Sequence, residues 1–375
     1  MIYPLGSHVD MKVIRSTKCS LKFATATKRA ELARVLEEYG RVVNFFIDLF
    51  WEQPVDKSAL LAAVVNQPET WLSSRLKKVA AREALDMIRA ARERDGEEAI
   101  KPVHKGQRMC VSSTIATLEA PKNAGEFDAW LKIRCVGEGI GLDLPIRFHK
   151  HWHKLAEHPG SVRLNAYIIT TRYAQFSFEI ETGRKVTDGE PVAVDTGVNV
   201  LAALSTGLTL GLDIKEIIEA INRCEPGSNR QKKLRRALKQ RMDEVVKEIM
   251  VLAPALIVVE KLSHVTRGTK QRRRLGRRTR RLLSAWAYRY WLDRLRMACE
   301  WNRVSYRTVP PAYTSQRCSR CGHTEQGNRL SSEMFRCRRC DYTDSADVNA
   351  ARNILSRFLT GVYGPGSQAN FMATG

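Results

Sequence analysis

Four cysteines near the C-terminus carry the densest chemical signal in the chain. Cys318-x-x-Cys321 and Cys337-x-x-Cys340 are separated by fifteen residues, the spacing of a four-thiolate zinc ribbon. Each C-x-x-C turn directs two thiolates at one ion, and two turns complete a tetrahedron, a closed shell that is structural rather than catalytic. His323 is a rival ligand that a full set of thiolates does not need. The other five cysteines, Cys19, Cys110, Cys135, Cys224 and Cys299, are scattered among ordinary residues and read as small buried hydrophobes.

Three carboxylates carry the second signal. Asp195 ends the apolar run PVAV, and Glu260 ends ALIVV. A lone ionised side chain at the end of a buried strand is costly unless it is paired or holds a cation. Asp347 opens DVNAARNIL, where Ala350, Ala351, Ile354 and Leu355 share one helical face. Taken singly, Asp347 fits a helix N-cap and Asp195 a turn residue before Gly197. Taken together, two strand-end acids and one at a helix start can converge at one edge of a sheet. Such a cluster suits two Mg²⁺ ions about 3.5–4 Å apart, the arrangement that hydrolyses a phosphodiester in line. Hard cations of this kind take oxygen ligands, so acids rather than His or Cys fill these positions.

The charge identifies the substrate class. The chain has 375 residues, 62 Lys or Arg against 40 Asp or Glu, and a formal net charge of +22. That excess calls for a polyanionic partner, nucleic acid by default. Residues 267–281 hold nine Lys or Arg in fifteen. Arg272, Arg273, Arg274, Arg277 and Arg278 in this run, and Lys232, Lys233, Arg235 and Arg236 upstream of it, are candidate nucleic-acid contacts. Arg317, Arg320, Arg336, Arg338 and Arg339 surround the cysteines and place the knuckles near phosphate. His149, His151 and His153 alternate in RFHKHWHKL, so on a strand they would share one face among Arg147, Lys150 and Lys154. No run of about 18 apolar residues, signal peptide or lipidation motif argues for a membrane.

These residues need elements to hold them. Residues 9–26 alternate as one or two strands. TKRAELARVLEEYGRVVNFFIDLFWEQ has a Thr cap candidate, Thr27, and helical spacing at Leu32, Val35, Leu36, Tyr39, Val42, Val43 and Phe46. WLSSRLKKVAAREALDMIRAARERDG predicts a second helix ending at Gly96. Residues 107–183 predict short strands of a β-barrel or sandwich, with the helices inserted in it. From residue 190, a strand, a tight turn and a second strand precede a helix striped by Leu234, Leu238, Met242, Val245, Ile249 and Leu252. The buried strand ALIVVEKL follows, and strand, helix and strand together predict an α/β domain. LLSAWAYRYWLDRLRMACEWN reads as another amphipathic helix.

AVDTGVN, VVEKL, PAYTSQRCSRCG and DVNAARNIL resemble the signature segments of TnpB proteins, transposon-encoded RNA-guided nucleases related to the type V CRISPR effectors. The resemblance is close from about residue 190 to 356 and limited to element order before that. It implies a multidomain α+β chain. Residues 1–26 and 106–187 would form a wedge β-barrel around a helical recognition domain at 27–105. Residues 188–312 and 343–361 would form a ribonuclease H-like RuvC domain, with a zinc ribbon at 313–342 and a flexible tail at 362–375. The family's three acids map onto Asp195, Glu260 and Asp347, while Asp341 and Asp344 precede its D-x-N-A-A motif. The implied cofactors are structural Zn²⁺ and catalytic Mg²⁺. The implied partners are a transposon-derived guide RNA and a target DNA beside a short adjacent motif. A monomer in a prokaryotic cytoplasm, associated with the nucleoid, is expected. Two rival readings are a compact type V CRISPR effector, with the same chemistry and another guide source, and a non-cleaving zinc-ribbon repressor.

Overall fold

Residues 11–52, 60–121, 125–261, 287–311 and 314–361 are described by the computed structural model. The basic run at 267–281, with its five candidate arginines, and the tail at 362–375 lie outside them. The chain divides into two compact units, Lys12–Glu181 and, apart from Met1–Met11, Thr182–Gly375.

In the first unit, β1 (Met11–Ser20) is followed by α1 (Ala26–Trp51), the single turn α2 (Ala62–Val65) and α3 (Ser74–Asp95). The strands β2 (Arg108–Ser112), β3 (Ala116–Glu119), β4 (Ala129–Ile133) and β5 (Leu142–Ile146) come next. Helix α4 (Lys150–Ala156), β6 (Ser161–Thr170) and β7 (Tyr173–Gly183) complete the unit. One sheet has the order β1-β7-β6-β2 and the other β3-β4-β5, so α1 to α3 lie in sequence between two strands of one sheet. The apolar stripe of α1, from Leu32 through Phe46, is buried and packs on α3. Its cap is Thr25, whose hydroxyl accepts from the Lys28 amide, two residues before the expected Thr27. At Gly40 a Cβ would stand 2.5 Å from the Gly106 Cα, so the chain can cross α1 only over glycine.

Two expectations change in this unit. His149 is the N-cap of α4, and His151 and His153 are in that helix, so the three share no strand face. The strand β5 ends at Ile146 because His149 closes a new helix start, its ring accepting from the His151 amide. Cys135 is exposed and holds a positive φ of 57°. It is a turn residue rather than a buried hydrophobe, whereas Cys19 and Cys299 are buried.

The second unit is built on β8 (Pro191–Asp195), β9 (Ala202–Leu204), β10 (Thr209–Leu210), β11 (Leu256–Glu260) and β12 (Ser305–Val309), ordered β10-β9-β8-β11-β12. Strands β8, β11 and β12 are parallel, while β9 returns antiparallel to β8. The helices are α5 (Ile214–Arg223), α6 (Asn229–Val251), α7 (Tyr288–Trp301) and α8 (Ala346–Thr360). Val192, Val194, Ile257 and Val259 join α5, α6 and α7 in one core, and Ala193 and Val258 join Ile354 of α8 in another. Parallel strands covered on both faces read as unbroken apolar runs, which is why PVAV and ALIVV show no alternation. The stripe on α6 ends at Ile249. Leu252 is the C-cap and 41% exposed, so it stands outside the buried stripe.

Candidate active site and metal centre

Asp195 and Glu260 are the last residues of β8 and β11, and Asp347 is the second residue of α8. The N-cap of α8 is Ser345, so Asp347 is not a cap. Helix α8 packs along β8 and β11, which brings its first turn to the carboxyl ends of these strands, the usual ligand edge of an open α/β sheet. A narrow cleft there is lined by Asp195, Thr196, Glu260, Tyr288 and Leu292.

The site shows its charge in the behaviour of its acids. Burial comes first and the negative charges of Glu260 and Asp347 second in pushing Asp195 from its ordinary 3.8 up to about 7. That is a penalty of about 4 kcal/mol on its ionisation. Burial also raises Glu260 and Asp347. Both are partly compensated: the Thr314 hydroxyl donates to Glu260, which the Arg357 charge also favours, and the Arg329 guanidinium lies 3.1 Å from Asp347. Of the three, Asp195 is the one whose ionisation is opposed by both other acids, the kind of setting a nearby cation would relieve. The oxygen-only donor set suits a hard divalent ion.

The thiolates are gathered more tightly. The four sulfurs of Cys318, Cys321, Cys337 and Cys340 all lie within 4.8 Å of one another, the one such group of His, Cys, Asp or Glu ligand atoms among the described residues. Cys318 and Cys340 are 3.8 Å apart and Cys321 and Cys337 3.6 Å. Sulfurs at the corners of a tetrahedron around a zinc ion would be ~3.8 Å apart, given Zn–S of about 2.3 Å. The two knuckles repeat one backbone pattern. The Cys318 amide donates to His323 and the Gly322 amide to Cys318; the Cys337 amide donates to Tyr342 and the Asp341 amide to Cys337. Gly322 and Asp341 occupy the same left-handed position, at φ 74° and 52°. Asp341 is therefore a turn residue, paired with Arg336, and His323 turns to Glu325.

A polar stripe on α8 ties the ribbon to the carboxylates. Asn349 accepts from the Ser319 amide and donates to the Arg317 carbonyl. Asn353, one turn on, donates to the carbonyls of Thr314 and Arg317. Arg352 binds Asp344 and the Tyr342 hydroxyl, which gives Asp344 a structural role. Arg329 is itself clipped by the Ser331 and Ser332 carbonyls before it reaches Asp347. Sequence reasoning missed Thr314, Arg329, Asn349 and Asn353. The Asn349/Asn353 spacing of four, which places both on the face shared by the apolar Ala350 and Ile354, is the signal that could have found the stripe.

The described basic candidates, Lys232, Lys233, Arg235 and Arg236, are exposed on the N-terminal half of α6. Near the knuckles, Arg338 pairs with Glu325, while Arg320 and Arg339 are exposed. Among the described residues, no helix is long and apolar enough to cross a membrane.

The Cas12f1-like TNB domain matches residues 288–354, from α7 through both knuckles into α8. InsQ of Escherichia coli (strain K12) is 59% identical over 56 residues, 15% of this chain and 14% of InsQ. Cas12f1 of Sulfoacidibacillus thermotolerans is 42% identical over 74 residues, 20% of this chain and 18% of that protein. A TnpB-like protein of Aquifex aeolicus (strain VF5) is 27% identical over 132 residues, 34% of this chain and 41% of the relative. The matched stretches thus span less than half the length of each relative. The mini-RNA-guided endonuclease CRISPR-Cas_phi3 shares the mixed α+β fold, with a TM-score of 0.55 at 11% identity over 96% of this chain and 93% of its own. Over residues 288–354 this chain is thus similar to the Cas12f1-like TNB domain, and over partial stretches it is similar to InsQ, to Cas12f1 and to a TnpB-like protein.

Proposed function

We propose that this chain is an RNA-guided DNA endonuclease that uses a transposon-derived guide RNA to cleave DNA beside a short adjacent motif. The observation that supports the reading most is Asp195, pushed up to about 7 by burial and by the charges of Glu260 and Asp347. The names of the relatives support it: InsQ is named as an RNA-guided DNA endonuclease and Cas12f1 as an endodeoxyribonuclease. The second unit is then a ribonuclease H-like RuvC domain with an inserted zinc ribbon. In the first, the order β1-β7-β6-β2 with α1 to α3 between β1 and β2 supports a wedge barrel around an inserted recognition domain.

Asp195, Glu260 and Asp347 would hold two Mg²⁺ ions, and the four cysteines one structural Zn²⁺. When bound, the magnesium ions supply an activated water and neutralise charge at the leaving oxygen. The chain's own part is placement. Two carboxylates leave rigid neighbouring strands in register, and the third comes from a helix pinned by Asn349 and Asn353. Thr314 orients Glu260, and Arg329 fixes Asp347. The lysines and arginines of α6 and of the run at 267–281 would bind phosphates without reading bases.

The Cas12f1 relative favours one alternative, a compact type V effector with identical residue roles and a guide from another source. Sequencing the RNA that co-purifies with the protein tests the proposal. A guide scaffold copied from a transposon end is expected. A CRISPR repeat would replace the TnpB reading with the effector reading, and absence of any defined RNA species would overturn both.

A further inference from the structure

Phe23, Phe127 and Trp130 form a continuous half-buried aromatic cluster on the first unit. The Phe127 centroid lies 5.5 Å from that of Phe23 and 5.8 Å from that of Trp130. Trp130 stands on the outward side of β4, since its neighbours Ala129 and Leu131 are buried and the strand alternates. Four cations surround the rings. Lys22 and Arg147 approach Phe23 at 4.8 and 5.6 Å, and Lys28 approaches Trp130 at 5.7 Å. Lys132 follows Trp130 on the same side of the strand and pairs with Glu119. Lys22 and Arg147 are exposed.

Packing alone does not call for this arrangement. Large aromatic rings at a surface are normally buried further or placed at an interface. Rings interleaved with cations match an unpaired nucleotide, whose base has a flat π-face and whose phosphate is anionic. A duplex offers phosphates but keeps its bases stacked on one another, so it would meet only the cations.

We infer that Phe23, Phe127 and Trp130, flanked by Lys22, Lys28 and Arg147, form a stacking platform for unpaired nucleotides of a bound nucleic acid. The inference rests on the nucleic-acid reading above but not on cleavage. Phe127, between the other two rings, is the central contact. Lys22 and Arg147 leave the rings for the flanking phosphates.

The test is binding of the full chain, freed of nucleic acid and in EDTA, to fluorescein-labelled oligo-rU, oligo-dT and a DNA duplex of equal length. Loss of one stacked base should weaken single-strand binding by about tenfold in Phe127→Ala and in Trp130→Ala. Duplex binding should stay within about twofold, and Phe127→Tyr and Trp130→Phe should restore single-strand binding. Lys22→Ala with Arg147→Ala should flatten the single-strand salt slope by about 1.4. Single-strand affinity unchanged in both alanine variants overturns the inference, as does an equal loss for single strand and duplex, or failure of the aromatic replacements to restore. Because EDTA prevents cleavage, a parent chain that stacks oligonucleotides but never cuts DNA would overturn the nuclease reading alone.

Discussion

Val194 pairs with Val259 in parallel register, so the next residues of the two strands, Asp195 and Glu260, stand side by side at the carboxyl ends of β8 and β11. Burial cannot be relieved there by moving either acid, because the valines before them belong to the buried core. The sheet holds Asp195 in place against burial and the charges of Glu260 and Asp347.

This gives a pH dependence with a definite sign. Asp195 titrates at about 7 in the folded chain and near 3.9 when unfolded. Between about pH 4 and 7 the folded state therefore holds the extra proton, and stability falls as pH rises through that window. Glu260 and Asp347 shift in the same direction. Thermal melts in Mg²⁺-free buffer without chelator, so that the ribbon keeps its zinc, should show a lower Tm at pH 7 than at pH 5 relative to Asp195→Asn, in which this contribution is absent. Added Mg²⁺ should raise the Tm at pH 7 more than at pH 5. Equal Mg²⁺ effects at both pH values would show that no buried carboxyl titrates against the cation.

Metal removal should act on the ribbon first. Elemental analysis of protein purified without chelator should find one zinc per chain, lost in Cys318→Ser and in Cys337→Ser, because site energy is folding energy in such knuckles. Arg329 lies between the two cysteine pairs and reaches Asp347, so both variants should also lose cleavage. Zinc-free variants with normal cleavage would show that the ribbon and the carboxylates are uncoupled.

Much of the second unit was legible in the sequence because β8 and β11 are short apolar runs with buried centres, and each ends in an acid. The parallel strand β12 was not. SYRTV has only two buried residues, Ser305 and Val309, and nothing in its pattern separates it from a loop. Helix α5 was readable through the spacing of Ile214, Ile218 and Ile221, all buried, and was passed over. The histidines were misread because alternation over five residues cannot distinguish a strand from a helix start. Arg329 had no local signal, since its contact with Asp347 depends on how the ribbon folds back over eighteen residues.

Arg329 is the positive group that partly offsets the raised Asp195 and Asp347. Arg329→Ala should push both carboxyls higher still. The pH at which Mg²⁺ binding is half lost should move up, by about a unit if the 3.1 Å pair behaves as a close opposite charge does, with Arg329→Lys shifting it less. Mg²⁺ titrations followed by thermal shift across pH 5–8 read this directly. An unmoved midpoint in Arg329→Ala would remove Arg329 from the site's electrostatics.

Neutralising Arg272, Arg273, Arg274, Arg277 and Arg278 together should weaken nucleic-acid binding without affecting metal content. Each phosphate contact adds roughly 0.7–0.9 to the salt slope of log affinity, so the slope should flatten by about 3 to 4 if most of the five reach phosphates. Guide RNA and target DNA are titrated separately, and specificity should change little. Parent-like slopes on both would make the run a solvated linker.

The central claim is that the three carboxylates perform guided DNA cleavage, and the most direct measurement is cleavage by the protein loaded with its co-purifying RNA. DNA complementary to the guide portion, scrambled DNA, and both with EDTA are compared for the parent, Asp195→Ala, Glu260→Ala and Asp347→Ala. The account predicts Mg²⁺-dependent cutting of the complementary DNA alone, reduced to background in each variant while RNA binding stays nearly intact, since binding rests on distributed positive charge. Cutting that persists in a variant, or complementary DNA that is bound but left uncut by the parent in Mg²⁺, would contradict it.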